Sequence, residues 1–277
     1  MTFKELVDKF YKEDNNYHNL TVYEIIYYLS KKVKNKTDLI TNDSSLIDFD
    51  VKYFLNIYNK VFYKNIPIEY ITNKFTFLNE EYFICKGVFI PRPETEFLVS
   101  TIIEKNILDN KNNILDLCSG SGVIANSLAI KYNDKYICGV EKKIIPFNVS
   151  KYNAKIKKLK TNFVRKDIFK LGNNFVSNFD AIVCNPPYVS NDFSISKWVK
   201  KEPRNALFAK DEGLYFYKKI INDYYHSLKK NTILIFEIGY DQKEKLEEFL
   251  NSQNITSFYF IKDLNKIDRI LIINKEN

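Results

Sequence analysis

The sequence predicts an α/β protein: a mainly parallel, doubly wound sheet with helices on both faces, an antiparallel pair at its carboxyl end, and a small helical domain ahead of it. Three observations carry this. From Pro93 onward, short β-branched apolar runs alternate with helical stretches, as crossover connections between parallel strands require. The last two apolar runs are separated by a polar segment too short for a crossover helix, so they must pair antiparallel. The first 64 residues show helical periodicity instead.

In that first stretch Phe3, Leu6, Val7 and Phe10 fall on one stripe, and Thr21-x-x-Glu24 reads as a capping box before Ile25, Ile26 and Leu29. Leu46, Phe54, Leu55, Tyr58, Val61 and Phe62 predict a further long helix. Residues 1–64 are therefore expected to form a helical domain. Asn65-Ile66-Pro67 ends the pattern. Tyr70-Ile71, Phe75-Thr76-Phe77 and Tyr82-Phe83-Ile84 are short β-type runs, the last two separated by polar Asn79-Glu80-Glu81, so 65–92 is read as a β-hairpin linker. The larger domain, 93–277, has candidate strands at Ile114-Leu115, Tyr136 to Val140, Ala181-Ile182-Val183 and Ile233 to Phe236. It ends with the antiparallel runs Phe258 to Ile261 and Ile270 to Ile273.

Composition narrows the function classes. The chain has 277 residues, 45% of them hydrophobic, enough to bury a sizeable core. No apolar run approaches the roughly 18 residues that span a bilayer, and the opening residues mix both charges, so no signal peptide or membrane anchor is expected. Cys85, Cys118, Cys138 and Cys184 lack C-x-x-C spacing and have only His18 and His226 as imidazole partners, which argues for a reducing cytoplasm and against structural zinc. A net charge of +8 favours acidic partners. Part of that excess sits in lysine pairs, Lys31-Lys32, Lys157-Lys158 and Lys229-Lys230, of the kind that usually mark solvated helix faces.

Ile114-Leu115-Asp116-Leu117-Cys118-Ser119-Gly120-Ser121-Gly122 is a strand running into a glycine turn, and Val123, Ile124, Ser127 and Leu128 begin a helix after it. Gly120 and Gly122 allow close backbone approach to a ligand that the helix N-terminus then faces. Glu141 follows Gly122 by nineteen positions, at the end of the next strand, where a carboxylate can accept from two ribose hydroxyls. The G-x-G-x-x-G that cradles a pyrophosphate is absent, which favours S-adenosylmethionine over a dinucleotide. Asp167, after Phe163-Val164, is placed to accept from an adenine amino group, with Ile168 over the ring; ordinary core packing explains Ile168 and Phe169 equally well.

The reactive motif is Asn185-Pro186-Pro187-Tyr188, at the carboxyl end of the strand Phe179 to Cys184, where open α/β sheets bind ligands. An amide nitrogen is a poor nucleophile because its lone pair is delocalised. An enzyme that alkylates it must hold the NH₂ in place and stabilise the positive charge that grows there. The Asn185 side-chain oxygen and the Pro186 backbone oxygen can accept those two hydrogens, and Tyr188 can stack on the flat group. No general base is required, and neither histidine lies near a motif. Asn-Pro is also a common turn starter, so it is the order and spacing of all three features that point to one pocket.

With these motifs in place, the sequence resembles the protein-glutamine N5-methyltransferases that modify peptide-chain release factors, a family of Rossmann-like class I methyltransferases with a seven-stranded sheet. Beyond Asn185-Pro186-Pro187-Tyr188, which base amino-methyltransferases share, the resemblance rests on Gly87-Val88-Phe89-Ile90-Pro91-Arg92-Pro93-Glu94-Thr95-Glu96, on Glu202-Pro203-Arg204-x-Ala206-Leu207 and on Asp211-Glu212-Gly213-Leu214-x-Phe216-Tyr217. Glu237-Ile238-Gly239-Tyr240-Asp241-Gln242, Asp263-Leu264 and Asp268-Arg269 also fit. The resemblance implies that Cys118, Ser119, Gly120, Ser121, Gly122, Glu141, Ile168 and Asn185 contact S-adenosylmethionine. It implies that Asn185, Pro186, Pro187 and Tyr188 hold the glutamine, with Phe89 bordering it, and that the glutamine is that of the Gly-Gly-Gln loop of a release factor. The helical domain would help grip that factor. Two positions depart from the family pattern: Cys118 stands where a glycine is common, and Ile168 where a large aromatic can occur.

Three other readings share these motifs: a nucleic-acid amino-methyltransferase acting on adenine N6 or cytosine N4, a glutamine methyltransferase of a ribosomal protein, and a non-catalytic module that keeps only the fold. The first usually needs a recognition module and base flipping, and Asn191 to Lys210 is small for that. A monomer without membrane association or a stable nucleic-acid partner is expected.

Overall fold

The computed structural model of the protein describes residues 1–12, 16–30 and 45–276. They form two compact units, Met1–Asn73 and Lys74–Asn277. The Lys31-Lys32 pair and the His18 side chain lie outside the described residues.

The first unit is helical: α1 (Phe3–Phe10), α2 (Asn16–Leu29), α3 (Val51–Phe62) and α4 (Ile68–Thr72). Thr2 and Glu5 make a reciprocal capping box on α1, with Glu5 N donating to Thr2 Oγ1 at 3.1 Å and Thr2 N to Glu5 Oε2 at 2.9 Å. The stripe on α1 buries Phe3, Leu6 and Val7, and Phe10 stacks obliquely on Phe54 and Tyr58 of α3. Three expectations change. Helix α2 begins at Asn16, so Thr21 is a buried interior residue and not a cap; the S/T-x-x-E pattern is local and does not fix a start where helix-compatible residues precede it. Leu46 lies outside α3, exposed and bridged to Thr2, because Asp50 caps that helix through Lys52 N at 2.8 Å. Tyr70-Ile71 is helical, in a single turn that Pro67 starts and Asn73, at φ 57°, ends.

The second unit opens with a hairpin, β1 (Lys74–Phe77) and β2 (Glu80–Phe83), closed by Leu78 and Asn79 at φ 49° and 64°. Positive φ at both turn residues matches the strand twist, so the turn sits one residue earlier than the polar segment implied. Leu78 tolerates that backbone because its N–H donates to Glu96 Oε1 at 3.1 Å.

The central sheet has seven strands: β3 (Asn113–Leu117), β4 (Tyr136–Glu141), β5 (Asn162–Arg165), β6 (Ala181–Cys184), β9 (Ile233–Glu237), β10 (Phe258–Lys262) and β11 (Asp268–Asn274). Their order is β5-β4-β3-β6-β9-β11-β10, parallel except for β11, which pairs antiparallel with β9 and β10. Strands β6 and β9 are buried at every residue, and β3 at all but its first, which needs cover on both faces. Intervening helices are α5 (Pro93–Glu104), α6 (Val123–Lys131), α7 (Ile144–Ile156), α8 (Asn173–Val176), α9 (Arg204–Leu207), α10 (Tyr215–Tyr224) and α11 (Lys243–Ser252). A two-residue parallel pair, β7 (Val189–Ser190) with β8 (Phe208–Ala209), pins both ends of the excursion between them. Among the described residues no helix is long and apolar enough to cross a membrane.

Lysine pairs resolve differently from one another. Lys157, at the end of α7, bonds Glu80 Oε2 at 2.6 Å and lies 4.4 Å from the Tyr82 ring centre, so it ties helix to hairpin. Lys229-Lys230 precedes β9 in a turn, not a helix face.

Asn153 of α7 joins hairpin to glycine turn. It accepts from Phe83 N at 2.8 Å and donates to Phe83 O and Ser121 O, both at 3.0 Å. Asn153→Ala leaves these buried groups unpaired and should lower stability by on the order of 2–3 kcal/mol. In urea unfolding the midpoint should fall with an unchanged slope; an unmoved midpoint would show the three bonds are dispensable.

Candidate active site

Strand register sets the site. Leu117 pairs with both Val140 and Cys184, and Cys184 with Phe236. The next residue of each strand therefore falls in one row across the carboxyl edge: Glu141, Cys118, Asn185, Glu237. Strand order reverses on either side of β3, and the crevice opens there. A cavity of about 390 Å³ lies over this row, within the range of small-molecule sites.

On one side stands the glycine turn. Ser119 N donates to Val140 O at 3.1 Å and Gly122 N to Ser119 O at 2.7 Å, folding the chain back on itself. Gly120, at φ 54°, lines the cavity, and a Cβ there would meet nothing nearer than Cys118 O at 3.9 Å, so it is the left-handed backbone that favours glycine. Gly122, at φ 79°, has another role: a Cβ would come within 2.7 Å of Ser150 and 2.9 Å of Phe163, so its bareness lets α6 start against α7 and β5. Cys118 takes φ 61°, the left-handed backbone that a glycine would adopt without penalty. Beneath the turn Asp116 is fully buried and accepts from Ala125 N at 3.2 Å. Burial pushes its carboxyl up to about 8, against the opposing bonds from Ala125 and Ser119.

Glu141 is 9% exposed. Its oxygens accept from Gly120 N at 3.0 Å and Lys143 N at 2.7 Å, while burial raises its pKa above the ordinary value. Each carboxylate oxygen has a second lone pair, so it can still accept from a ligand's hydroxyls. Asp167 pairs with Lys142 Nζ at 2.8 Å and caps the 3₁₀ turn Ile168–Lys170 through Phe169 N at 3.2 Å. Partial burial pushes its carboxyl up, but these partners together hold it below the usual range. Ile168 and Phe169 line the same wall. This half offers acceptors at Glu141 and Asp167 with apolar walls between them.

The other half is Asn185 to Tyr188, held from several directions. Asn185 Nδ2 donates to Thr95 Oγ1 at 3.0 Å, and Thr95 is buried in the first turn of α5. The Tyr188 hydroxyl donates to Glu237 Oε1 at 3.1 Å. Burial and the neighbouring Glu237 charge raise the Tyr188 pKa far enough to keep it a neutral donor. Gln242 Nε2 donates to Tyr188 O at 3.0 Å while its Oε1 takes Gly239 N at 2.9 Å. Gly213, at φ 90°, passes so close that a Cβ would lie 2.0 Å from Tyr188 O. The rim is fixed similarly: buried Glu202 accepts from Ile90 N at 3.0 Å and pairs with Arg92, which lies 5.1 Å from the Phe89 ring centre. Ile195, Val199, Pro203 and Leu207, all between β7 and β8, close the cavity.

Of the residues the sequence singled out, Phe89, Cys118, Gly120, Glu141, Asp167, Ile168, Asn185, Pro186, Pro187 and Tyr188 line this one cavity. Ser119, Ser121 and Gly122 do not; Ser119 Oγ is turned inward onto Asp116 O at 2.9 Å. Lys142 and Lys143, which no sequence motif marks, also line the cavity, and Thr95, Glu202, Gly213, Glu237 and Gln242, present in the sequence as parts of motifs, support it through the contacts above. Of these, only Glu237 carried a signal in the sequence, as a lone carboxylate closing the apolar run Ile233 to Phe236.

Comparison with known proteins gives the family and the fold. The methyltransferase small domain family matches residues 89–206. A release factor glutamine methyltransferase of Clostridium botulinum is 36% identical over 220 residues, covering 76% of each chain. One of Clostridium acetobutylicum is 30% identical over 276 residues, covering 97% of this chain and 93% of that one. Among solved structures, the hMettl16 catalytic domain bound to a MAT2A 3′UTR hairpin aligns with TM-score 0.57 at 16% identity over 81% of each chain. A Thermus thermophilus 16S rRNA N2 G1207 methyltransferase, in complex with AdoMet and guanosine, aligns with TM-score 0.52 at 19% identity over 73% of this chain and 50% of that one. At those identities the likeness is one of fold.

Asp116 makes a stability prediction. Its folded pKa, about 8, stands above the ordinary 3.8, so the native state holds a proton that the unfolded chain has lost between those values. The stabilisation is complete below 3.8 and disappears as pH rises through about 8. The melting-temperature difference between wild type and Asp116→Asn, followed from about pH 5 to about pH 8, should shift progressively against the wild type. A difference constant with pH would mean that Asp116 is ionised throughout.

Proposed function

This chain belongs to the release factor glutamine methyltransferase family, and from that membership and the cavity's geometry we propose how its residues carry the reaction. It transfers a methyl group from S-adenosylmethionine to the side-chain nitrogen of the glutamine in the Gly-Gly-Gln motif of a peptide-chain release factor. One observation supports the chemistry above the rest: Thr95 occupies the Asn185 side-chain NH₂, which leaves Oδ1 as the group offered to the cavity.

The cofactor half suits S-adenosylmethionine. Glu141 offers acceptors for ribose hydroxyls, Asp167 an acceptor for the adenine amino group, and Ile168 an apolar face; Cys118 and Gly120 border the space between. Backbone groups of Ser119, Ser121 and Gly122 shape that turn from behind. When bound, the cofactor would supply a methyl group on an electrophilic sulfonium and leave as the thioether, while the glutamine nitrogen gives up one of its two hydrogens as a proton.

This chain's residues do the rest by positioning. Asn185 Oδ1 and the Pro186 carbonyl accept the two hydrogens of the glutamine NH₂, and no donor among the described residues competes for either oxygen. As positive charge grows on that nitrogen its hydrogens become more acidic and both bonds strengthen, so these acceptors favour the transition state over the ground state. Tyr188, with its hydroxyl committed to Glu237, presents its ring to the flat amide, and Pro187 keeps the turn rigid. Phe89, braced by Arg92, borders the glutamine, and the apolar residues between β7 and β8 exclude water.

We assign the chemistry to residues 93–277, with rim residues from the 65–92 segment. Recognition of the release factor falls in part to the helical residues 1–64, which hold none of the cavity lining.

Incubation of the protein with methyl-labelled S-adenosylmethionine and a release factor, followed by peptide mass spectrometry, should place one methyl group on the Gly-Gly-Gln glutamine. Asn185→Ala should lower kcat by on the order of 10²-fold or more with cofactor affinity largely kept. Label on nucleic acid or a ribosomal protein instead, or an Asn185→Ala enzyme of unchanged rate, would contradict the assignment.

A further inference from the structure

Arg92, which braces Phe89, lines the same cavity as Asn185 and Pro186. A guanidinium carries five N–H donors and a permanent charge. Among the described residues only its Nη2 makes a hydrogen bond, so Nε and Nη1 keep donors to spare. Both properties are hazards in this place. Asn185 Oδ1 and the Pro186 carbonyl have to stay open for the two glutamine hydrogens, and positive charge has to grow on the glutamine nitrogen.

Glu202 restrains the guanidinium. Its carboxylate is buried, and its two oxygens take different partners: Oε1 accepts from Arg92 Nη2, and Oε2 accepts from Ile90 N at 3.0 Å. Arg92 is thereby laid over Phe89, its Cζ 5.1 Å from the ring centre. Backbone bonds fix both ends of the contact. Arg92 O accepts from Thr95 N at 2.9 Å and Glu96 N at 3.2 Å, starting the helix whose Thr95 holds Asn185. Glu202 N donates to Val199 O at 3.0 Å and Pro203 follows it; Val199 and Pro203 are both cavity wall. One carboxylate thus joins two segments of the wall that lie 110 residues apart in sequence.

Only a carboxylate serves both partners. Arg92 and the Ile90 N–H are donors, so both oxygens must accept. A glutamine of the same shape has one oxygen and one NH₂, and would set donor against donor at one of the two contacts. We propose that Glu202 is a positioning residue for methyl transfer: it holds the Arg92 guanidinium against Phe89 as a neutral ion pair, keeping that cation's donors off the Asn185 and Pro186 oxygens and its charge balanced while positive charge grows on the substrate nitrogen. A released guanidinium that bonds Asn185 Oδ1 has to be displaced before the glutamine NH₂ is received. An unbalanced one opposes the growing charge and repels the sulfonium of S-adenosylmethionine, but not the neutral thioether of S-adenosylhomocysteine. That contrast separates positioning from plain stabilisation. Losing a buried ion pair lowers the melting temperature whatever its role, yet it changes the ratio of the two affinities only if the Arg92 charge is felt in the cavity.

This inference rests on the glutamine-transfer reading, so one arm of its test needs the acceptor and one does not. With full-length protein, S-adenosylmethionine and a release factor, Glu202→Gln should lose about tenfold or more in kcat, the factor given by one misdirected hydrogen bond. In calorimetric titrations without acceptor, its Kd for S-adenosylmethionine should rise about threefold or more relative to its Kd for S-adenosylhomocysteine. Adding Arg92→Met, which keeps an unbranched stem beside Phe89 and removes the cation, should recover most of the rate and return the ratio to the wild-type value. A wild type that methylates no release factor defeats the glutamine reading, and the two affinities still decide the role of Glu202. Should Glu202→Gln fail to fold, the double variant decides it: with no cation left to restrain, its kcat should stay within about threefold of wild type, and a loss of about tenfold or more would overturn the proposal. An unchanged kcat or an unchanged affinity ratio in Glu202→Gln, or a loss that Arg92→Met fails to relieve, would overturn it equally.

Discussion

The site depends on a single register: Leu117 set opposite both Val140 and Cys184, with Phe236 beside Cys184. Because side chains in a strand alternate, a slip of one residue would send Glu141, Asn185 and Glu237 to the wrong face or level together. What prevents the slip is burial. Apart from Asn113, Asp116 and Glu237, the positions of β3, β6 and β9 are apolar and enclosed, and each Val, Leu, Ile or Phe among them contributes roughly 1.5–3 kcal/mol by leaving water. Asp180 adds a polar pin at the far end, its Oδ2 accepting from Asn112 N at 3.0 Å and Asn113 N at 2.9 Å. The core's packing and the pocket's chemistry are thus one fact seen at opposite ends of the same strands.

Around that row a set of buried polar residues fixes a short loop that could not hold itself. Two adjacent prolines give Asn185 to Tyr188 stiffness but remove the N–H groups that would anchor it. Support therefore comes from elsewhere in the chain: Thr95 for the Asn185 amide, Gln242 and the bare Gly213 for the Tyr188 carbonyl, Glu237 for the Tyr188 hydroxyl. Glu202 does the same for the rim. Segments far apart in sequence, which look like unrelated motifs, are the brace of one pocket, and this is why they accompany the reactive tetrapeptide.

Much of this was legible in the sequence because it depends on local pattern. The alternation of β-branched runs with helical stretches reports burial on both sheet faces, and the glycine turn, Glu141 and Asn185 each sit one step past an apolar run. Illegible features are those decided by contacts at a distance. Thr21 carries a capping signature, yet the residues before it continue the helix. Tyr70-Ile71 has strand propensity, but Pro67 and the left-handed Asn73 enclose a single helical turn. The two-residue pair Val189–Ser190 with Phe208–Ala209 is too short to leave a period. The pairing of Lys142 with Asp167 and the roles of Thr95 and Glu237 need the folded row before they mean anything.

The claim on which the rest turns is that Asn185 Oδ1 and the Pro186 carbonyl receive the two hydrogens of a glutamine amide. A crystal structure of the protein with S-adenosylhomocysteine and a Gly-Gly-Gln peptide tests it most directly. The account predicts the glutamine nitrogen within hydrogen-bond distance of both oxygens, with the amide plane against the Tyr188 ring. A glutamine bound with its nitrogen turned away from Asn185, or a peptide seated outside this cavity, would contradict it.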